Sequence, residues 1–201
     1  MGCFKDQITG VVLAGGQGRR MGGVDKGLVD LAGRTMIEHV IERLAPQVGN
    51  LMINANRTLE TYAALGYPVV PDADDDFLGP LAGILAAMRS ARTAFILTVP
   101  CDTPLLAPDL ADRLWHAVDR AGAELAVVHD GDRLQPVFAL ITTSLADSLA
   151  RYMARGGRKI DRWYETHRLA TVDFSDAASS FVNVNDPQQR ANIEAMLVES
   201  D

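Results

Sequence analysis

The chain has 201 residues, 48% apolar and 22% charged, with a formal net charge of −7. That apolar share suffices for a packed core, and with no linker, repeat or low-complexity stretch the expectation is one domain over 1–201. The acidic balance excludes a general nucleic-acid or anionic-membrane surface, and two distant cysteines, Cys3 and Cys101, exclude a disulfide framework. Ile8 to Ala14 then reads as a buried strand. Thr35 to Glu38 has capping-box spacing, after which Ile37, Val40, Ile41 and Leu44 recur on one helical face. Leu51 to Asn54 reads as a strand, Thr58 to Leu65 as a helix, and Pro68 to Pro71 as a third strand. Pro80 opens a helix running to about Ser90, since proline suits a first helical turn. Ala94 to Pro100 is a strongly apolar, central strand, followed by a helix from Pro108 to Arg120 that stops at Gly122.

The pattern then changes. Leu125 to His129 and Leu134 to Ile141 predict a hairpin, with Asp130-Gly131 suited to a tight primed turn. Helices are expected over Ser144 to Ala154 and Pro187 to Val198, with short strands at Ala170 to Phe174 and Phe181 to Val184. Alternating strands and helices imply a mixed, mainly parallel sheet between two helical layers, a three-layer α/β/α, Rossmann-like architecture. In such sheets ligands sit at the carboxyl ends of strands. Those ends carry Ala14-Gly15, Asn54, Asp72, Asp102 and Asn185, which converge only if the strands are neighbours.

The first strand empties into a loop, residues 15–27, rich in glycine and holding Arg19, Arg20 and Lys26. Glycines let backbone N–H groups approach a ligand, and the cations answer phosphate charge, Arg as a fork and Lys as a point charge. The loop is no P-loop, because Lys26 is followed by Gly27 where that motif needs Ser or Thr. It is no dinucleotide fingerprint either, because Met21 stands where the third glycine belongs. The expectation is a di- or triphosphate grip.

Leu13-Ala14-Gly15-Gly16, Arg20-Met21-Gly22 and Lys26 resemble the signature loop of nucleotidyltransferases. The closer form, Gly22 to Gly27, is similar to the molybdenum cofactor guanylyltransferases. Further segments agree in order: Asn54 to Arg57, Gly79 to Gly83, Pro100 to Pro104 and Phe181 to Asn185. The resemblance runs from about Ile8 to Ile193. It implies the nucleotidyltransferase fold and GMP transfer from GTP to the terminal phosphate of the molybdopterin form of the molybdenum cofactor, with release of pyrophosphate. It also implies Mg²⁺ as cofactor, and the notion of transient contact with cofactor-insertion proteins or apo-molybdoenzymes goes with it. No nucleic-acid or membrane partner is expected, and the compartment is expected to be cytoplasmic, with no signal peptide or apolar span in view. A cytidylyl- or sugar-phosphate nucleotidyltransferase, or a non-catalytic GTP-binding delivery protein, are the alternatives.

Both reactants in such a transfer are anionic, so charge neutralisation and in-line positioning matter more than a covalent nucleophile. Arg20 and Lys26 suit the phosphates. Asp102 suits Mg²⁺ held between phosphate oxygens, its other role being a turn cap before Pro104. The resemblance implies that Leu13, Ala14, Gly15, Asn54 and Asp72 contact the nucleotide, as do Lys26 and Asp102. An Asp could accept from guanine N1 and N2, though Asp74 to Asp76 compete with Asp72 for that part. Asn183 and Asn185, two apart on the expected strand, would face one side and act on the acceptor or in catalysis; turn chemistry before Asp186-Pro187 competes for Asn185. Gly79 and Gly83 are expected to let a ligand approach the backbone. Gly156 to Lys159 reads as a basic loop able to meet an anionic acceptor or as a plain turn. Cys101 reads as a buried structural thiol, and Gly18 makes the phosphate loop supple enough to order on nucleotide binding.

Overall fold

The structure, a computed structural model, describes residues 3–15, 25–73 and 79–198. Seven strands form one sheet in the order β5-β4-β1-β6-β8-β7-β9. They are β1 (Ile8–Leu13), β4 (Asn50–Asn54), β5 (Val69–Val70), β6 (Phe95–Pro100), β7 (Leu125–His129), β8 (Leu134–Thr142) and β9 (Leu169–Asp173). β1 pairs in parallel with β4 on one side and β6 on the other, and β4 with β5. β8 is antiparallel to both β6 and β7, while β9 runs parallel to β7. β8 is thus the single reversed strand, and the sheet is mixed and mainly parallel as the alternation predicts.

Each strand side feeds a different helical layer, because side chains alternate across a strand. Ile8 and Val12 of β1, Leu97 and Val99 of β6, and Ala126 and Val128 of β7 pack against α1 (Met36–Leu44), α2 (Leu59–Ala63) and α4 (Leu110–Ala121). Val11, Ile96, Leu125 and Val127 face the other way, onto α3 (Pro80–Ser90), α5 (Ala146–Ala154) and α6 (Ile160–Tyr164). A third cluster joins Leu31, Met36 and Val184 to Ile193 of α7 (Pro187–Val198). The capping box at the start of α1 forms as expected: the Thr35 amide and hydroxyl both donate to Glu38, at 2.7 and 2.6 Å, and hold its carboxyl below the usual range. Buried Gln47 ties the first layer together, donating to Arg43 and Ala107 carbonyls and accepting from the Ala111 amide, all within 3.0 Å.

Four details depart from the sequence expectation. No strand forms over 181–184; a 3-10 turn, Ser175–Phe181, runs into extended chain whose Val184 N–H bonds the Asp102 carbonyl at 2.9 Å without a ladder. The hairpin between β7 and β8 is no two-residue primed turn. Its loop, 130–133, closes around the Asp130 carboxylate, which accepts from the Asp132 and Arg133 amides at 2.9 and 2.8 Å. The hydrogen bonding of an Asx turn displaces the tighter geometry. A small hairpin, β2 (Asp30–Leu31) with β3 (Arg34–Thr35), was not anticipated, and neither was α6.

Candidate functional site

The strand order places a topological switch at β1: the chain moves outward to β4 and β5 on one side, then returns to β6 on the other. The crevice outside the carboxyl ends of β1 and β6 is where such a sheet binds ligands. The turn residues are pinned there. Ala14 N–H donates to Asn54 O at 2.8 Å and Cys101 N–H to Leu13 O at 3.1 Å, so the ends of β4, β1 and β6 are locked in register.

On the β4–β5 side the polar groups form one cluster. The Asn54 side-chain amide donates to Val70 O at 3.0 Å and to Asp72 Oδ1 at 2.8 Å. Asn56 donates to Asp72 Oδ2 at 2.8 Å and accepts from the Asp72 amide at the same distance. Both Asn54 amide hydrogens are therefore engaged, and only its carbonyl oxygen is left to meet a nucleotide. Each Asp72 oxygen keeps lone-pair capacity beyond its single amide bond. Asn56 lies within the Asn54 to Arg57 segment, and its place two residues beyond Asn54 is the sequence signal for its part in the cluster.

Gly83, on α3, is close to this cluster for a different reason than expected. A Cβ there would lie 2.1 Å from Asn54 Oδ1, 2.7 Å from Asn54 Cγ and 3.1 Å from Leu13 Cδ2. The close approach that demands glycine is made by the Asn54 side chain, where the sequence suggested a ligand.

On the β6 side, Lys26 Nζ sits 3.1 Å from Asp102 Oδ2 and 2.5 Å from Asn185 Oδ1. Asp102 is nearly buried, and no backbone N–H among the described residues donates to its carboxylate, so it is not acting as a turn cap. Turn capping before α7 falls instead to Asp186, whose Oδ1 accepts from the Gln189 amide at 2.8 Å. That leaves the Asn185 side chain for Lys26, while Gln189 accepts from the Asn185 amide at 2.8 Å. Asn183 does not share this arrangement, because the strand that would align the two is missing. Its carbonyl oxygen accepts from Asn185 Nδ2 at 3.3 Å, and its side-chain Oδ1 is buried with no hydrogen-bond partner among the described residues. An orphaned buried acceptor costs about 1–3 kcal/mol.

Cys101 is buried in the core next to Asp102, and desolvation, followed by the charges of Asp102 and Asp25, pushes its thiol well up. It is inert packing, as read. Arg20, with the rest of 16–24, lies outside the described residues, as do Asp74 to Asp76. Among the described residues no group of three or more His, Cys, Asp or Glu could hold a metal ion. A single carboxylate such as Asp102 fits a hard cation of the Mg²⁺ kind, which takes few protein ligands and can fill its shell with phosphate oxygens and water. No helix among the described residues is long and apolar enough to cross a membrane.

The Asn54–Asn56–Asp72 cluster and the Lys26–Asp102 pair thus gather outside the carboxyl ends of β1, β4 and β6. Residues 10–172 match the model of the MobA-like NTP transferase domain. The molybdenum cofactor guanylyltransferase of Shewanella woodyi is 50% identical over 187 residues, covering 93% of this chain and 95% of that protein. The protein of the same name from Methylibium petroleiphilum is 50% identical, with 96% and 98% covered. Among solved structures, molybdopterin-guanine dinucleotide biosynthesis protein A from Archaeoglobus fulgidus superposes with a TM-score of 0.79 at 26% identity, covering 95% of this chain and 99% of that one. The chain belongs to the MobA-like NTP transferase family, among the molybdenum cofactor guanylyltransferases.

Proposed function

We propose that the protein transfers GMP from GTP to the terminal phosphate of the molybdopterin form of the molybdenum cofactor, giving molybdopterin guanine dinucleotide and pyrophosphate. The observation that carries this is half-identity to molybdenum cofactor guanylyltransferases across nearly the whole chain. An oxygen of the acceptor phosphate forms a bond to the α-phosphorus of GTP as the bond to the bridging α–β oxygen breaks, and the electron pair leaves with pyrophosphate.

The residues divide this work by position. Leu13, Ala14 and Gly15 end β1 beside the Asn54–Asp72 cluster, where the guanine would lie. Asp72 would accept from its N1 and N2 donors, and the Asn54 carbonyl would accept from the nucleotide. Lys26, facing the crevice from the other side, neutralises phosphate charge and restrains the chain for in-line attack. Asp102 would hold Mg²⁺, which supplies further charge neutralisation across the phosphates. Asn185 fixes the Lys26 ammonium, and Asn183, whose side-chain Oδ1 has no partner among the described residues, would act on the acceptor side. Arg20 belongs to the phosphate loop in this assignment.

The test is direct. Purified protein, Mg²⁺, molybdenum cofactor and either GTP or CTP are combined, and dinucleotide and pyrophosphate are measured. Guanine dinucleotide from GTP alone is the expected result. Preference for CTP would move the protein to a cytidylyltransferase, and no dinucleotide from folded protein would overturn the assignment.

A further inference from the structure

Lys26 is held from two directions, and only one of them is the crevice. Its neighbour Asp25 turns away from the site and accepts two hydroxyl hydrogen bonds, from Thr58 Oγ1 at 2.9 Å and from the Tyr62 hydroxyl in a short contact. On the other side of Lys26, Gly27 lies directly against the same phenol: a Cβ there would be 2.7 Å from the Tyr62 oxygen and 3.4 Å from Cys101 Cβ and Sγ. One buried side chain, on α2, thus touches the residues immediately before and after the lysine. Tyr62 has no exposed surface, and its phenol remains a donor. Thr58 adds a second, independent mark. It sits at φ 49°, ψ 35°, the left-handed region that a β-branched residue seldom enters, in the position that brings its hydroxyl to Asp25. Strain of this kind costs about 1–3 kcal/mol and persists where the surroundings over-determine it.

We infer that Tyr62, Thr58 and Asp25 form a clamp, a set of positioning residues that fixes the backbone of Lys26 so that its ammonium meets the transferring phosphates. None of the three touches the reacting atoms; they act through Lys26. The clamp draws its kinetic consequence from the proposed transfer reaction, but its structural consequence stands apart from it.

The experiment reads both. Tyr62→Phe removes only the hydroxyl and keeps the ring; Thr58→Val, on the surface, removes the second hydroxyl if the core variant fails to fold, and Thr58→Ser restores it. Trace acetylation with mass-spectrometric readout gives the reactivity of Lys26 relative to exposed Lys159. The expected result is a rise in that ratio of about threefold or more, with kcat reduced about tenfold and the KM for GTP within about threefold, since misplacement acts on the transition state. Thr58→Ser should match the wild type. An unchanged labelling ratio in Tyr62→Phe and Thr58→Val overturns the clamp, whatever the activity, because any kinetic loss is then structural. A wild type that transfers no GMP while the variants still show the labelling response refutes the reaction and leaves the clamp standing.

Discussion

Replacing Gly83 by alanine sets two effects of opposite sign against each other at one atom. In a helix interior the substitution alone is stabilising by about 1 kcal/mol. Here the new Cβ would lie 2.1 Å from Asn54 Oδ1 and 2.7 Å from Asn54 Cγ, far inside any tolerable contact. Asn54 is 3% exposed, and its amide holds Val70 O and Asp72, so it cannot swing aside without releasing both bonds. Losing two buried hydrogen bonds costs about 2–4 kcal/mol. The net is a destabilisation of about 2 kcal/mol, or about 4–8 °C in Tm for a chain of this size. Calorimetric titration should show GTP affinity falling at the same time, because the freed Asn54 and Asp72 no longer present a fixed base site. Denaturant unfolding of Gly83→Ala, Asn54→Ala and the double variant isolates the cause: with Asn54 truncated, the alanine should be neutral or stabilising. A Gly83→Ala protein that is more stable than wild type and binds GTP normally would refute the steric account.

Three further outcomes follow from the same geometry. Asp102→Asn keeps the shape but removes the charge facing Lys26, and should lower kcat about 10²–10³-fold in a GMP-transfer assay across a Mg²⁺ titration, with a lowered Tm because the ammonium loses its counter-charge. Gln47→Ala leaves the buried Ala111 amide without its partner and strips one bond from the Ala107 carbonyl, which keeps the Leu110 amide, and should cost about 1–3 kcal/mol in guanidinium unfolding without changing GTP binding. Asp130 is held down to about 2 by the Arg133 amide first, then by Gln135 and the Asp132 amide. A depressed folded pKa contributes stability above the unfolded value near 3.8 and loses it as pH falls toward 2. The Tm gap between wild type and Asp130→Ala should therefore be constant above about pH 5 and close between about pH 4 and 2; a gap independent of pH would count against the charge.

The sheet was legible because its signals were local. β1 and β6 are apolar on both faces, as strands covered by helices must be, and α3 begins at the proline and α4 stops at the glycine that the sequence marked. The errors fall where tertiary bonds decide. The stretch 181–184 alternates like a strand, yet its Val184 amide bonds the Asp102 carbonyl and no ladder forms. α6 is a five-residue helix whose Trp163 and Tyr164 are buried beneath the sheet, and so short a segment carries too little periodicity to announce itself. In the site, the residue types facing the crevice were readable from strand-end positions. The residues that aim them were less so: Tyr62 reaches Asp25 from α2, and Asn56, though two residues from Asn54, finds Asp72 only once β4 and β5 are adjacent.

The two halves of the crevice differ in how they are held, and that difference has a chemical sense. The side proposed to take the base is assembled in advance by bonds between Asn54, Asn56, Asp72 and the β5 carbonyl, so recognition there would need little reordering, its entropy being spent in folding. The phosphate side is held by opposite charge: Lys26 faces Asp102 at 3.1 Å, with side chains 26% and 12% exposed. Each is the other's stand-in for something a triphosphate brings, an anion for the lysine and a cation for the carboxylate. In the proposed reaction, nucleotide entry would exchange one ion pair for others without leaving either charge uncompensated in a poorly solvated site, where a lone charge would be costly. A lysine free to change partners still has to stay in place while it does so, and that is the role the geometry gives to its neighbours, Asp25 against Tyr62 on one side and Asn185 against Gln189 on the other.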